Sequence, residues 1–242
     1  MEFAARRFEP LPTWDEFAWI EQLPLFTGRD RTRPGHRLRQ YLPEGFDAYL
    51  RVFHPYFPMD TQPTDADLAS KRVTWREVAD AKGLVFHPEM VAPIWWSNPD
   101  TNPDGITQLN EGEPDPWTES ALFSVLAPDD ETDVFCVVGH PGMEQLYKVK
   151  VRDIRLVKAV NRADGPLYAW PEDRSWVMYI NSDAFDTYIA CDSATSGAML
   201  ANENLEVLRV TLDTRCDGKM DQINGQKDLD WNSPEADGWA IV

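Results

Sequence analysis

Three of the four histidines in this chain, His54, His87 and His140, stand directly before a proline, and Glu89 follows two residues after His87. An imidazole titrates near neutrality and ligates metals through either ring nitrogen. Convergence of His54, His87 and Glu89 would therefore make a general base or a metal site, the centre of a small hydrolase or ligand-binding enzyme. Against this, the separations contain no short ligand spacing such as HExxH. Proline after each His also forces extended backbone, which predicts imidazoles packed at strand ends or turns. A second cluster, Trp170-Pro171-Glu172-Asp173-Arg174-Ser175-Trp176, sets two indoles around two carboxylates and a guanidinium. This is the chemistry of an ion pair stacked on an aromatic face. It reads either as a cleft floored by Asp173 and Arg174 or as a turn that ties Arg174 locally and starts a strand at Trp176.

Arg29, Arg31, Arg33, Arg37 and Arg39 form a basic island around Pro34-Gly35. The island reads as an exposed loop whose arginines pair with carboxylates of the same chain, or as an anion site. Asp213 to Asp221 imitates a calcium loop in its Asp217-Gly218 pair. It fails the pattern, because Arg215 holds the third position and Asn224 the twelfth, where carboxylates belong. No GxSxG, glycine-rich phosphate loop, CxxC pair or Ser/His/Asp signature is present, so no metal or cofactor is assigned.

The elements that must position these residues are legible in part. Phe46 to His54 reads as a strand ended by Pro55. Thr74-Trp75-Arg76-Glu77 opens a helix as a capping box, with Gly83 as its stop. Asp115-Pro116-Trp117 starts another, running to about Leu126. Val134 to Val138, Gln145 to Val151 and Ile154 to Val160 read as a meander; Trp176 to Ile180 and Thr187 to Ala190 read as a second strand pair. A helix from about Ser193 to Asn202 and a strand from Leu205 to Val210 follow. The stretch from His87 to Pro116, rich in proline, reads as loop around Ile94-Trp95-Trp96. Trp14, Phe17, Trp19 and Ile20 predict a short amphipathic turn, stopped by Pro24, that docks on the body. Strands in runs predict an α+β fold with a largely antiparallel sheet and a few helices packed on it. The expected organisation is an N-terminal extension, 1–40, and a single domain, 41–242.

Leu42-Pro43-Glu44-Gly45-Phe46-Asp47-Ala48-Tyr49-Leu50-Arg51-Val52-Phe53-His54-Pro55 resembles the "LPxGfxAYxRVxHP" segment of a group of actinobacterial proteins. Trp75-Arg76-Glu77-Val78-Ala79 with His87-Pro88-Glu89 is similar to that group's "WxEVAxxxGxxxHPE" block. Trp170 to Trp176 followed by Asp186-Thr187-Tyr188 is similar to its "WPxDRxWxVxTexDxxxTYVGG" block. The resemblance spans Tyr41 to Val210 and implies a grouping without an established activity. Ala190-Cys191 departs from it, standing where the pattern has a glycine pair.

Charge narrows the function. Between Lys82 and Lys148 there is no Lys or Arg, while Gly83 to Tyr147 holds twelve carboxylates of a chain whose net charge is −18. Neutralising a polyanion needs the cations this stretch lacks, so nucleic acid and acidic membrane surfaces are excluded as its partners. Ten Trp and 43% hydrophobic residues predict a packed scaffold beneath the acid. The first thirty residues show no apolar signal region, and Cys136, Cys191 and Cys216 read as reduced thiols, so the expected location is cytoplasmic. The reading that follows is a noncatalytic binding or regulatory protein, of the kind an immunity role requires, presenting an acidic, aromatic-rich surface to a basic protein or peptide. The hydrolase built on His54, His87 and Glu89 is the alternative.

Overall fold

β-Branched and aromatic runs become strands, and capped segments become helices. The computed structural model describes residues 8–24, 36–62, 64, 67–92, 105–109, 112, 114–138, 145–154, 166–180, 184–217 and 220–224. β1 (Ala48–Phe53) ends before His54-Pro55, and β2 (Phe57–Pro58) pairs with β3 (Ile106–Thr107) in a small ribbon. β4 (Asp133–Val138), β5 (Gln145–Lys150), β6 (Pro166–Pro171), β7 (Trp176–Ile180), β8 (Asp186–Cys191) and β9 (Glu206–Val210) join β1 in a seven-stranded sheet. Its order is β5-β4-β6-β7-β8-β1-β9, and every neighbouring pair is antiparallel. The fold is α+β.

Both faces of the sheet are covered, so the central strands β7 and β8 are buried along their whole length. Alternation sends successive side chains to opposite faces. On one face Leu50, Val52, Val134, Cys136, Met178 and Ile189 meet Leu122, Phe123 and Leu126 of α3 (Pro116–Leu126) and Met199 of α4 (Ser193–Ala201). α4 carries the chain from β8 to β9 across β1, which lies between them. On the other face Val137, Tyr168, Trp170, Tyr179 and Tyr188 meet Phe17, Ile20, Leu23, Leu38 and Tyr41. A third cluster packs Phe53 and Tyr56 against Trp75, Val78 and Ala79 of α2 (Trp75–Lys82).

α2 begins as expected: Thr74 accepts from the Glu77 amide, and Glu77 returns a carboxylate to the Thr74 amide. Gly83 closes the helix at φ 66°, a left-handed position that suits a residue without Cβ. Asp115 caps α3 through the Trp117 and Thr118 amides, with Pro116 in the first turn.

Two expectations change. β6 occupies a stretch read only as a cluster and turn, because Pro166 and Pro171 lie at its ends, where a missing donor is tolerated. Val151–Asp153 is a turn of 3-10 helix, with Ile154 following as its cap; residues 155–160 of the expected strand lie outside the described residues, as do Ile94-Trp95-Trp96 and His140. The N-terminal turn docks on the body. Phe17 and Ile20 of the N-terminal turn, which includes α1 (Ala18–Glu21), are buried in the second core, and the Leu11 amide donates to the Leu146 carbonyl on the β5 edge.

Candidate functional site

The most heavily bonded polar group in the interior is one that sequence reading passed over. Strand register places Tyr168, Tyr179, Tyr188 and Arg51 side by side on β6, β7, β8 and β1. Burial pushes the three phenols well above the ordinary 10.0, so they are neutral donors and not bases. Tyr41 stacks on Tyr179 at 4.9 Å, and the Tyr168 hydroxyl donates to the Tyr41 carbonyl at 2.7 Å. At the end of this row the Arg51 guanidinium is 1% exposed. It donates through Nε to Asp186 Oδ2 at 2.7 Å and through Nη2 to the same oxygen. Nη1 donates to the Pro88 and Met90 carbonyls at 2.7 and 2.8 Å. Its Cζ lies 4.4 Å from the Phe53 ring centre and 5.5 Å from that of Trp75. Burial pushes the guanidinium down, but Asp186 and Tyr188 more than reverse this, so Arg51 stays charged. Burial pushes the Asp186 carboxyl up, and Arg51 offsets this only in part. Chemically the arrangement is a clamp: it ties β1 to β8 and holds the loop 84–92 on the sheet.

His54, His87 and Glu89 are each engaged by separate partners. His54 Nε2 lies 2.9 Å from Thr187 Oγ1, and Thr187 pairs with Val52, on the face that carries α3 and α4. His87 belongs to the loop clamped by Arg51 on the opposite face. Its Nδ1 accepts from the Glu89 amide at 3.2 Å, which leaves Nε2 to donate to Asp221 Oδ1 at 3.0 Å. Glu89 accepts from the Arg215 amide at 2.7 Å. Asp221 also accepts from the Asn224 side chain and amide, at 2.9 Å each. The segment read as a failed calcium loop therefore acts as a strap, fastening residues 214–224 to the loop 84–92.

Trp170 and Trp176 lie in opposite cores. Trp170 packs with Phe17, Trp19 and Phe135, whereas Trp176 packs with Phe123 of α3. Between them Glu172, Asp173, Arg174 and Ser175 form the exposed β6–β7 turn, in which Asp173 Oδ1 accepts from the Ser175 amide at 3.0 Å. Asp173 and Arg174 lie exposed on this turn and β7 starts at Trp176, but the Arg174 side chain is tied beyond the turn and not locally. Arg174 reaches Glu16 of the N-terminal turn at 3.7 Å, and its guanidinium lies 5.1 Å from the Trp19 ring centre. Lys148 of β5 pairs with Glu172 at 3.2 Å. The N-terminal turn exposes Asp15, Glu16, Glu21 and Trp14, the last at 39%, the β6–β7 turn exposes Glu172 and Asp173, and the Arg174–Glu16 pair joins the two turns. The cations among these described residues are Lys148 and Arg174, so carboxylates predominate.

Among the described residues of the lysine-free stretch, some carboxylates are buried or paired and others are open to solvent. Asp115 and Glu119 are buried in and beside the α3 cap, and Glu89 is spent on the Arg215 amide. Asp133 pairs with Lys150 at 2.8 Å, and Glu131 pairs with Arg152. Asp129 and Asp130 remain exposed. Of the basic island, Arg39 pairs with Asp213 at 2.5 Å, and Arg37 donates to the Asp213 carbonyl, so these two are held by neighbours outside the lysine-free stretch. Arg29, Arg31 and Arg33 lie outside the described residues.

Cys136, Cys191 and Cys216 are buried and form no disulfide; burial pushes the Cys191 thiol up to about 11 and raises that of Cys216 well above its ordinary value, which opposes thiolate chemistry there. A recess lined by Pro114, Glu119, Leu122, Phe123, Ile154, Met178 and Ile180 is too tight to admit even a water molecule, far short of the room a small-molecule ligand needs. Among the described residues, no group of three or more His, Cys, Asp or Glu is placed to hold a metal ion, and no helix is long and apolar enough to cross a membrane. Compared with protein-family models, curated proteins and solved structures, the chain matches none of them.

Proposed function

We propose that this protein is a noncatalytic binding protein that takes a cationic segment of another protein on the surface formed by its N-terminal turn and β6–β7 turn. The observation that carries the reading is the joining, at the Arg174–Glu16 pair, of an N-terminal turn that exposes Asp15, Glu16, Glu21 and Trp14 to a β6–β7 turn that exposes Glu172 and Asp173. Carboxylates steer a cationic partner toward the surface, and an exposed indole supplies anchoring area once contact is made. The same charge repels nucleic acid and acidic membrane surfaces. A regulatory role, including the neutralising of a basic toxin-like partner as in immunity, requires no more than this. A reducing, cytoplasmic setting belongs to the reading and is supported by three buried thiols that form no disulfide.

The test is calorimetric titration of the full chain with lysine- and arginine-rich peptides and with acidic controls. Cationic peptides are expected to bind at low salt and to be released at about 0.5 M salt, where the screening length falls to about 4 Å. The variant Glu16→Gln/Glu172→Gln/Asp173→Asn should weaken binding about tenfold. Equal affinity of that variant, or binding of acidic peptides as tightly as basic ones, sinks the reading.

A further inference from the structure

The proposed surface already contains a cation of its own chain, placed where a partner's cation would go. Arg174 is the non-glycine residue among those described with a positive φ, 55°. From the turn its guanidinium reaches to 5.1 Å from the Trp19 ring centre, while Nη2 lies 3.7 Å from Glu16 Oε2. Both charged side chains are nearly half exposed, at 44% and 48%. The indole beneath them is held firmly, since the Trp19 ring packs edge-on at 6.0 Å against Trp170, which is fully buried. A fixed indole face with a carboxylate at its rim is the chemistry that selects a guanidinium, because the flat cation stacks on the ring while its N–H groups meet the oxygen.

We propose that Trp19 and Glu16 form a seat for an arginine of the partner, and that Arg174 fills this seat in the free chain and must leave when the partner binds. The proposal rests on the binding function above and adds to it a specificity, arginine over lysine, and a built-in competitor. Self-occupancy lowers apparent affinity by the fraction of molecules whose seat is empty. Removal of the competitor therefore tightens binding.

The experiment titrates the full-length chain with an arginine-rich peptide and its lysine counterpart at low salt, comparing wild type with Arg174→Gly, which suits the positive φ, and Arg174→Asn. Both variants are expected to bind the arginine peptide about three- to tenfold more tightly than wild type, with a smaller gain for the lysine peptide. Adding Trp19→Phe or Glu16→Gln should cancel the gain. The Trp19 indole N–H resonance should shift on removal of Arg174, and shift again when the arginine peptide is added; this also reports that the variant is folded. Unchanged or weaker arginine-peptide binding by the folded Arg174 variants overturns the seat and leaves the acidic surface standing. Failure of wild type and variants to bind any cationic peptide removes both.

Discussion

Arg51 illustrates how much one side chain can hold together when nothing around it is water. Transfer of an ion pair into the core costs several kcal/mol per ion, which is offset only when geometry and extra hydrogen bonds are good. Here the guanidinium is bonded to Asp186 and to two loop carbonyls. Replacing Arg51 alone, as in Arg51→Met, should cost about 3–5 kcal/mol in urea unfolding because Asp186 is left charged and unpaired in the core. The double change Arg51→Met/Asp186→Leu should recover most of the loss. Faster amide exchange in the loop 84–92 should persist in the double variant, since the Pro88 and Met90 carbonyls still lack their donor. The strap at His87 makes a different prediction. Burial pushes the Asp221 carboxyl up, but the Asn224 side chain and amide, with His87, hold it below its ordinary 3.8. A depressed carboxyl contributes stability above its unfolded value and loses it as pH falls through the folded one. The stability difference between wild type and Asp221→Asn, measured by denaturant titration, should thus be level from pH 5 to 7 and shrink below about pH 3.8.

Among the elements, α2 shows where local signals suffice and where they stop. Thr74 and Glu77 cap each other across one turn, and Gly83 ends the helix, so both ends are written within ten residues. Glu206 on β9 adds a second acceptor for the same helix start, bonding the Trp75 and Arg76 amides at 2.6 and 3.0 Å. Thr74→Ala should cost about 1 kcal/mol, as N-cap removals do. Gly83→Ala should cost a similar ~1 kcal/mol through its positive φ alone, since a Cβ there meets no atom within 4 Å. Both are measurable as shifts in denaturant midpoint; a neutral Gly83→Ala would show that the left-handed C-cap carries no strain. β6 marks the opposite case, a strand whose terminal prolines disguise it until β4 and β7 are seen on either side.

For the molecule as a whole, net charge and charge placement prove to be different quantities. The lysine-free stretch contributes much of the negative charge, yet Lys150 and Arg152 pair with part of it and the α3 cap takes Asp115 inside. The acidic aromatic face is assembled elsewhere, from the N-terminal turn and the β6–β7 turn, which lie far apart in the chain. Association of a cationic peptide with that face should consequently slow as salt rises, while its dissociation rate changes less, a split that stopped-flow mixing resolves.

Caps, turn glycines and most strand runs were readable from the amino-acid order, because each depends on contacts between residues three or four apart or on strict alternation. The separation of Trp170 from Trp176, the distinct partners of His54 and His87, the clamp of Arg51 on Asp186 and the neighbours of the lysine-free carboxylates emerged only in three dimensions. Strand register and the path of loops over the sheet settle them, and these depend on contacts between residues well separated in the chain that local pattern does not encode.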